Sequence, residues 1–198
     1  NQAMREEYLP KPTNSSWSAG HHGNTGDGIG AGQSIGADTK MMDGAWWCTT
    51  IMVPQEERPR LSIMEKSMPG NVLVNPYGKR IANESENYMA YQINWHASHS
   101  EEKPSTPAYM VFDNRFRNSY LVGPIVGNLM PDWVLPKRWF KEDFLYKADT
   151  LDDLANQTGI DPAGLRETVD NMNEYAKNGD DQEFGRGSFE YDRYYGDH

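Results

Sequence analysis

Residues 23–40 read Gly-Asn-Thr-Gly-Asp-Gly-Ile-Gly-Ala-Gly-Gln-Ser-Ile-Gly-Ala-Asp-Thr-Lys, and they constrain the fold more than any other stretch. Several glycines surround one acid, Asp27, at the start of a helix predicted over residues 27–40. Glycine permits positive φ and removes the side chain that would keep a phosphate or ribose away from the backbone. A helix N-terminus adds unpaired N–H groups and a favourable dipole. Gly26 to Ala31 also fits the loose dinucleotide pattern G-x-G-x-x-A. That pattern signals a dinucleotide fold only when a buried strand precedes it. The preceding residues, Ser15-Ser16-Trp17-Ser18-Ala19-Gly20-His21-His22, favour no strand. The stretch is therefore either a Gly-rich turn or a nucleotide-contacting loop whose main domain lies elsewhere.

Bulk properties narrow the function classes. A chain of 198 residues can bury one real core, and 12% aromatic content makes that core rich in Trp, Tyr and Phe. A formal net charge of −10 opposes a nucleic-acid partner or an anionic membrane surface, because phosphate contacts need a basic face. No apolar run approaches the ~20 residues of a membrane span, and no signal peptide is visible. The single cysteine, Cys48 in Ala45-Trp46-Trp47-Cys48-Thr49-Thr50-Ile51, precludes an internal disulfide and suits a reducing, cytoplasmic setting. Cys48 is expected to be a small buried apolar residue.

The punctuation is clearest in the second half. Asn71 to Val74, the turn Asn75-Pro76-Tyr77-Gly78 and Lys79 to Ala82 predict a hairpin over 71–82, with Pro fixing φ and Gly closing the turn. A helix is expected from Ser85, as its cap, to about Ser98, with Met89, Ile93 and His96 or Ala97 on one face. Strands are expected over 45–53 and 107–112, and Asp113 caps a short helix through Tyr120. Residues 121–148, with three prolines and Trp133 and Trp139, read as an ordered surface loop that shelters its aromatics. Thr150 caps a helix that Gly159 ends. Asp161-Pro162 starts another with the stripe Leu165, Val169, Met172 and Ala176, and Gly179 stops it.

Few residues carry independent chemistry. His21-His22 and the His96/His99 pair lack a third ligand at metal spacing, so no metal site is assigned. No G-x-S-x-G elbow supports a hydrolase. Asn83, Glu84 and Tyr88 follow the hairpin in quick succession, and Glu84 and Tyr88 share a face if the helix begins near Ser85.

Several spaced motifs then agree. Asn24-Thr25-Gly26-Asp27-Gly28, Gly36-Ala37-Asp38 and Met42-Asp43-Gly44-Ala45-Trp46-Trp47 resemble the flavoprotein family of 3-ketosteroid dehydrogenases and fumarate reductases. So do Pro69-Gly70-Asn71-Val72-Leu73-Val74-Asn75, Gly78-Lys79-Arg80-Ile81-Ala82-Asn83-Glu84, and Phe112-Asp113 with Arg117 and Tyr120. Phe184-Gly185-Arg186-Gly187 and Tyr191-Asp192-Arg193-Tyr194-Tyr195-Gly196-Asp197 resemble the ketosteroid-dehydrogenase branch in particular.

The resemblance implies part of an FAD-dependent oxidoreductase acting on a 3-ketosteroid. Hydride passes to the flavin and a tyrosine takes the neighbouring proton; Tyr88 matches that tyrosine, with Glu84 and Asn83 shaping its surroundings and Asn83 toward substrate. Thr25, Gly26, Asp27 and Gly28 match FAD-contacting positions. In the fumarate-reductase branch a glutamate of the proton path and a proton-donating arginine fall on Glu84 and Arg117. That branch also expects an arginine soon after the glutamate, and residues 85–91 contain none, which favours the steroid branch. Dicarboxylate reduction is the alternative within enzymes. A non-catalytic module that binds an apolar ligand or a protein through Trp133 to Phe140 is the alternative outside them.

The expected fold is α+β: a mixed or antiparallel sheet with the 71–82 hairpin and helices gathered toward the C-terminus. The resemblance divides the chain into a border segment of the FAD-binding domain, residues 1–45, and an inserted substrate or cap domain, residues 46–198. Neither the family's opening G-x-G-x-x-G nor its C-terminal FAD segment is present, so the isolated chain is expected to be inactive and to hold FAD weakly or not at all.

Overall fold

The computed structural model of the chain describes residues 1–86 and 88–196, and for 88–92 the backbone alone. In chain order the elements are α1 (Gln2–Tyr8), α2 (Asp27–Ser34), β1 (Thr50–Ile51), β2 (Arg60–Leu61), β3 (Asn71–Val74), α3 (Tyr88–Ser98), β4 (Tyr109–Phe112), α4 (Asn114–Ser119), β5 (Leu121–Val122), β6 (Ile125–Val126), α5 (Lys137–Lys141), α6 (Leu151–Thr158), α7 (Pro162–Asn178) and α8 (Glu190–Tyr194).

The α+β character holds and the pairing is antiparallel, but a single sheet does not form. Among the described residues the strands form three separate antiparallel pairs, β1–β2, β3–β4 and β5–β6. The pair β3–β4 organises the rest. Asn71 faces Phe112 and Val74 faces Tyr109, four residues in register. Side chains alternate across a strand, and here each face meets its own core. Val72, Val74, Tyr109 and Val111 pack against Ala155, Ile160 and Leu165 of the α6–α7 region. Met110 and Phe112 turn to the other core, built on Phe116, Ile125, Leu135 and Trp139.

The predicted hairpin is corrected by this pairing. The turn forms as expected: Gly78 N donates to Asn75 O at 2.9 Å, and Asn75 N to Lys79 O at 2.9 Å. The returning segment makes only an isolated bridge, Val74 with Arg80, because β4 takes the long edge of β3. The turn docks on α7 instead, glycine against glycine. A Cβ on Gly78 would lie 2.2 Å from Leu165 N, and one on Gly164 would lie 2.0 Å from Tyr77 O. Thr168 Oγ1 donates to Gly78 O at 2.6 Å.

Other boundaries also shift. The helix expected from Ser85 starts at Tyr88, and Ser85 Oγ caps nothing; it is buried with no partner among the described residues. Ile93 of its expected apolar face is exposed, while Trp95 and His96 turn inward and pack edge-on at 4.6 Å. The predicted 45–53 strand reduces to Thr50–Ile51, and α2 stops at Ser34. Within 121–148, Trp139 is buried but Trp133 is 85% exposed. Cys48 is half-buried rather than enclosed. Of the α7 stripe, Leu165, Val169 and Met172 join the core and Ala176 is exposed. The caps form as predicted: Asp113 accepts from Phe116 N, Thr150 from Asp153 N and Asp161 from Gly164 N, and Gly159 and Gly179 end their helices left-handed.

Candidate active site

The turn at 75–78 feeds a segment, 80–85, in which every residue is buried. It begins with Arg80, whose guanidinium is fully enclosed. Arg80 grips Glu84 in two places, Nε to Oε1 at 3.0 Å and Nη2 to Oε2 at 2.8 Å. It grips Asp181, on the far C-terminal tail, in two more, both at 2.9 Å. The Phe184 ring lies 5.0 Å from its guanidinium carbon. Such a planar fork suits two carboxylates at once.

The tail closes over this pair. Asp181 also accepts from the N–H groups of Glu183, Phe184 and Arg186. Arg186 then reaches Glu84 Oε2 at 3.3 Å, Asn71 O at 3.0 Å and Met68 O at 2.9 Å. Glu84 Oε1 accepts in addition from Leu73 N at 3.3 Å. Asn83 donates to Asp192 at 2.8 Å, and its Oδ1 accepts from Ser85 N at 2.9 Å. Lys66, on a short 3₁₀ turn over Glu65–Ser67, donates to Glu84 O at 2.6 Å and Glu86 O at 2.7 Å. The backbone on either side of Glu84 is therefore held from strand, turn and tail together.

The electrostatics follow from burial and pairing. Burial opposes the Arg80 charge, yet Glu84 and Asp181 outweigh it and hold its pKa above the ordinary value. Burial likewise opposes the Asp181 carboxylate, but the Arg80 and backbone hydrogen bonds win and its pKa falls. At Glu183 burial outweighs the longer contact with Arg80, at 3.5 Å, and raises its pKa. Burial lowers Lys66 to about 8, against the pull of Cys48, Glu84 and Glu86.

A family model described as FAD binding domain matches residues 2–197. The chain belongs to this family. It is 37% identical over its whole length to the 3-oxosteroid 1-dehydrogenase of Mycobacterium tuberculosis (strain ATCC 25618 / H37Rv), covering 35% of that protein. It is 34% identical over 88% of its length to the 4-oxocyclohexanecarboxylate 2-dehydrogenase of Sinomonas cyclohexanicum, covering 30% of it. Among solved structures, the 3-ketosteroid delta1-dehydrogenase of Sterolibacterium denitrificans, in complex with 1,4-androstadiene-3,17-dione, matches the whole chain. Its TM-score is 0.91 and its identity 42%, and the chain covers 35% of it. The open conformation of a flavocytochrome c3 fumarate reductase matches at a TM-score of 0.59 and 27% identity, over 94% of this chain and 29% of that one. The chain thus spans about a third of the length of the curated relatives it matches.

In this FAD binding domain chain, the residues picked out from sequence fall into four places. Asn83 and Glu84 lie together in the buried network. The Tyr88 side chain lies outside the described residues; its backbone opens α3, two residues beyond the carbonyl of Glu86 that Lys66 holds. Arg117 sits apart, in the other core: it donates to Gly127 O and Met130 O and pairs with Asp132 at 3.1 Å, tying α4 to the loop after β6. Thr25 and the half-buried N-cap Gly26 lead into α2, whose first residues Asp27 and Gly28 are exposed.

That start fits a flavin dinucleotide. Gly26 sits at φ 91° with no side-chain cap, which leaves the first-turn N–H groups of α2 open to an outside acceptor. A Cβ on Gly28 or Gly30 would meet nothing within 4 Å, so a ligand can approach the backbone there. Asp27, which accepts from Thr25 Oγ1, suits a hydroxyl of the cofactor rather than a phosphate.

Reading the sequence missed Arg80, Asp181, Arg186, Asp192 and Lys66 as parts of the network. Arg80 and Glu84 lie outside any helix, so their four-residue spacing carried no pairing signal of its own. The signal available was the alternation of Asp, Glu and Arg along 181–193.

Proposed function

We propose that the chain is the larger share of the catalytic part of an FAD-dependent dehydrogenase that introduces a double bond beside the ketone of a 3-oxosteroid. Residues 46–198 supply the substrate domain, and residues 1–45 the border that meets the FAD domain. The observation that carries this reading is the whole-chain match, at a TM-score of 0.91 and 42% identity, to a 3-ketosteroid delta1-dehydrogenase in complex with a steroid dienone.

Bound FAD would supply the acceptor for a hydride from the carbon next to the deprotonated one. Tyr88 takes the proton from the carbon alpha to the ketone, where the carbonyl acidifies it. A phenol with a pKa near ~10 needs help to act as a base at neutral pH, and a rigid mount keeps it oriented for the transfer. Asn83 and Glu84 provide that mount. Both oxygens of Glu84 are held by Arg80, Arg186 and Leu73 N, so its role is to fix geometry rather than to relay protons. Thr25 to Gly28 contact FAD through the open first turn of α2.

The engagement of Arg117 by two backbone carbonyls and Asp132 speaks against its use as the acid of a dicarboxylate reductase. The test uses the flavin-loaded protein that carries this chain. Steroid-dependent reduction of an electron-accepting dye is expected, abolished by Tyr88→Phe and absent with fumarate and a reduced dye. Fumarate turnover that survives Tyr88→Phe and is lost in Arg117→Met would overturn the steroid reading.

A further inference from the structure

We propose that an extended, apolar segment of the longer protein that carries this chain seats between β1 and β4, and joins the pairs β2–β1 and β4–β3 into one sheet. The seat is a matter of fold, so it stands whichever substrate the enzyme takes.

The main-chain hydrogen bonds point to it. In an antiparallel pair, opposed residues alternate between exchanging hydrogen bonds and turning their N–H and C=O outward. Asp113 N donates to Gly70 O at 3.2 Å, one step beyond the Asn71–Phe112 pair. Val111 and Tyr109 therefore bond to β3, and Met110 and Phe112 turn their N–H and C=O away from it. On β3 the same alternation turns Leu73 outward, where Glu84 Oε1 takes its N–H at 3.3 Å. The Val74–Arg80 bridge guards that edge as well. The outer edge of β4 has no such cover. Among the described residues, no hydrogen bond reaches the N–H or C=O of Met110 or Phe112.

β1 has a matching edge. Ser62 N donates to Thr49 O at 2.9 Å, so Ile51 bonds to Arg60 and Thr50 turns its main chain away from β2. A cavity of about 1410 Å³ touches both strands, and its lining takes in residues 45–52 and 106–112. Small-molecule pockets hold roughly 300–1,000 Å³, so the space exceeds the need of one small ligand. Both hydrophobic cores line it: Ile51, Phe112 and Phe144 belong to one, Tyr109 and Ile160 to the other. A strand seated there is covered on both faces, and should read as a continuous apolar run of roughly 4–8 residues.

Open edges are normally blunted by lysine, proline or a bulge. Tyr109-Met110-Val111-Phe112 carries no charge and no proline, and its register with β3 is unbroken. Such an edge beside an apolar cavity suits strand addition, in which main-chain bonds give affinity and side-chain alternation gives specificity. The rest of the protein supplies the occupant. The chain spans about a third of the length of its relatives, and a tethered segment meets the seat at an effective concentration that a free molecule lacks. A second copy is opposed by the net charge of −10.

The test uses the longer protein, with and without flavin and a 3-oxosteroid. Hydrogen exchange resolved to single amides should show Met110 and Phe112 protected to within about tenfold of Val111 in every form. Ala108 is exposed and lines the cavity at the start of β4. Irradiation of Ala108→p-benzoylphenylalanine should cross-link it, within one polypeptide, to an apolar segment outside the 198 residues. Exchange at Met110 and Phe112 more than about tenfold faster than at Val111 overturns the proposal. So does protection that appears only with flavin or steroid bound, which would make the cavity a ligand site. A cross-link between two molecules, one confined to residues 1–198, or none from a folded variant overturns it too. If the cross-linking variant does not fold, exchange in the wild type decides alone. None of these readouts uses turnover, so failure of the steroid reading would leave them intact.

Discussion

Arg80 and Asp181 meet through two parallel hydrogen bonds of 2.9 Å each, across 101 residues of sequence. Arg80 also holds Glu84 from the same guanidinium, so one side chain joins the turn after β3, the approach to α3 and the tail. Both partners of the long-range pair are nearly solvent-free, at 0% and 3% side-chain exposure. This makes the pair a lock on the tail rather than a surface contact of little worth.

Removing one partner should therefore cost far more than removing both. Arg80→Met leaves Asp181 with backbone N–H donors alone and Glu84 with Arg186 and Leu73 N, so both buried carboxylates lose their bidentate partner, and a loss of about 3 kcal/mol is expected. Asp181→Asn should cost less, because Glu84 still meets Arg80. Urea denaturation of the three variants, single and double, measures this; equal small losses would mean the pair is not sealed from water. Limited proteolysis should cut the tail after residue 181 in either single variant and not in the wild type.

The same pair predicts an acid limit. The folded pKa of Asp181 lies below its unfolded value, so its stabilisation is fully present above that unfolded value and is lost as pH falls through the folded one. Lys66 has the opposite sense. Its folded pKa, about 8, is below the unfolded value of about 10.5, so between these the unfolded chain binds more protons and stability rises with pH. Relative to Lys66→Met, the wild type should gain stability from pH 8 to 10, and a falling difference would contradict the buried, charged lysine. Denaturant midpoints across pH measure both limbs.

The contact between the 75–78 turn and α7 has no slack. A Cβ on Gly164 would lie 2.0 Å from Tyr77 O and 2.9 Å from Asp161 Oδ2, and the first of these is backbone. Gly164→Ala should destabilise by about 1–3 kcal/mol although alanine favours the helix by roughly 1 kcal/mol. A calorimetric scan showing no loss would require the turn to swing away from α7.

The features that sequence made legible are local ones. Thr150, Asp161 and Asp113 cap, and Gly159 and Gly179 terminate, because each acts on N–H or C=O groups within a few residues of itself. The Asn75–Gly78 turn was legible for the same reason. What β3 pairs with was not. Residues 79–82 were near in sequence, but Tyr109–Phe112 offered an apolar alternation for both cores, while Arg80 and Glu84 drew the nearer segment into the charged network. The site was legible by halves. Asn83 and Glu84 were named, and Arg186 stood in a named motif, but the pairings of Lys66, Asp181 and Arg186 within the network were not legible, since the partners stand 18 to 119 residues away.

The glycine stretch gives the cleanest separation of fold from cofactor. Gly28 lies on an exposed helical turn where an added Cβ meets nothing within 4 Å. Valine there should leave the flavin-free protein as stable as the wild type, or slightly more so, since glycine is a poor helix former. On the proposed reading, the branched side chain would nonetheless stand where the cofactor approaches the open N–H groups of α2. Flavin titration of the protein carrying this chain should then show affinity falling at least tenfold in Gly28→Val, a loss of about 1.4 kcal/mol. Asp27→Asn should lower affinity less, because the amide keeps a hydrogen-bonding oxygen while giving up the charge-assisted acceptor. Equal flavin affinity in Gly28→Val and wild type would remove this turn from the cofactor site.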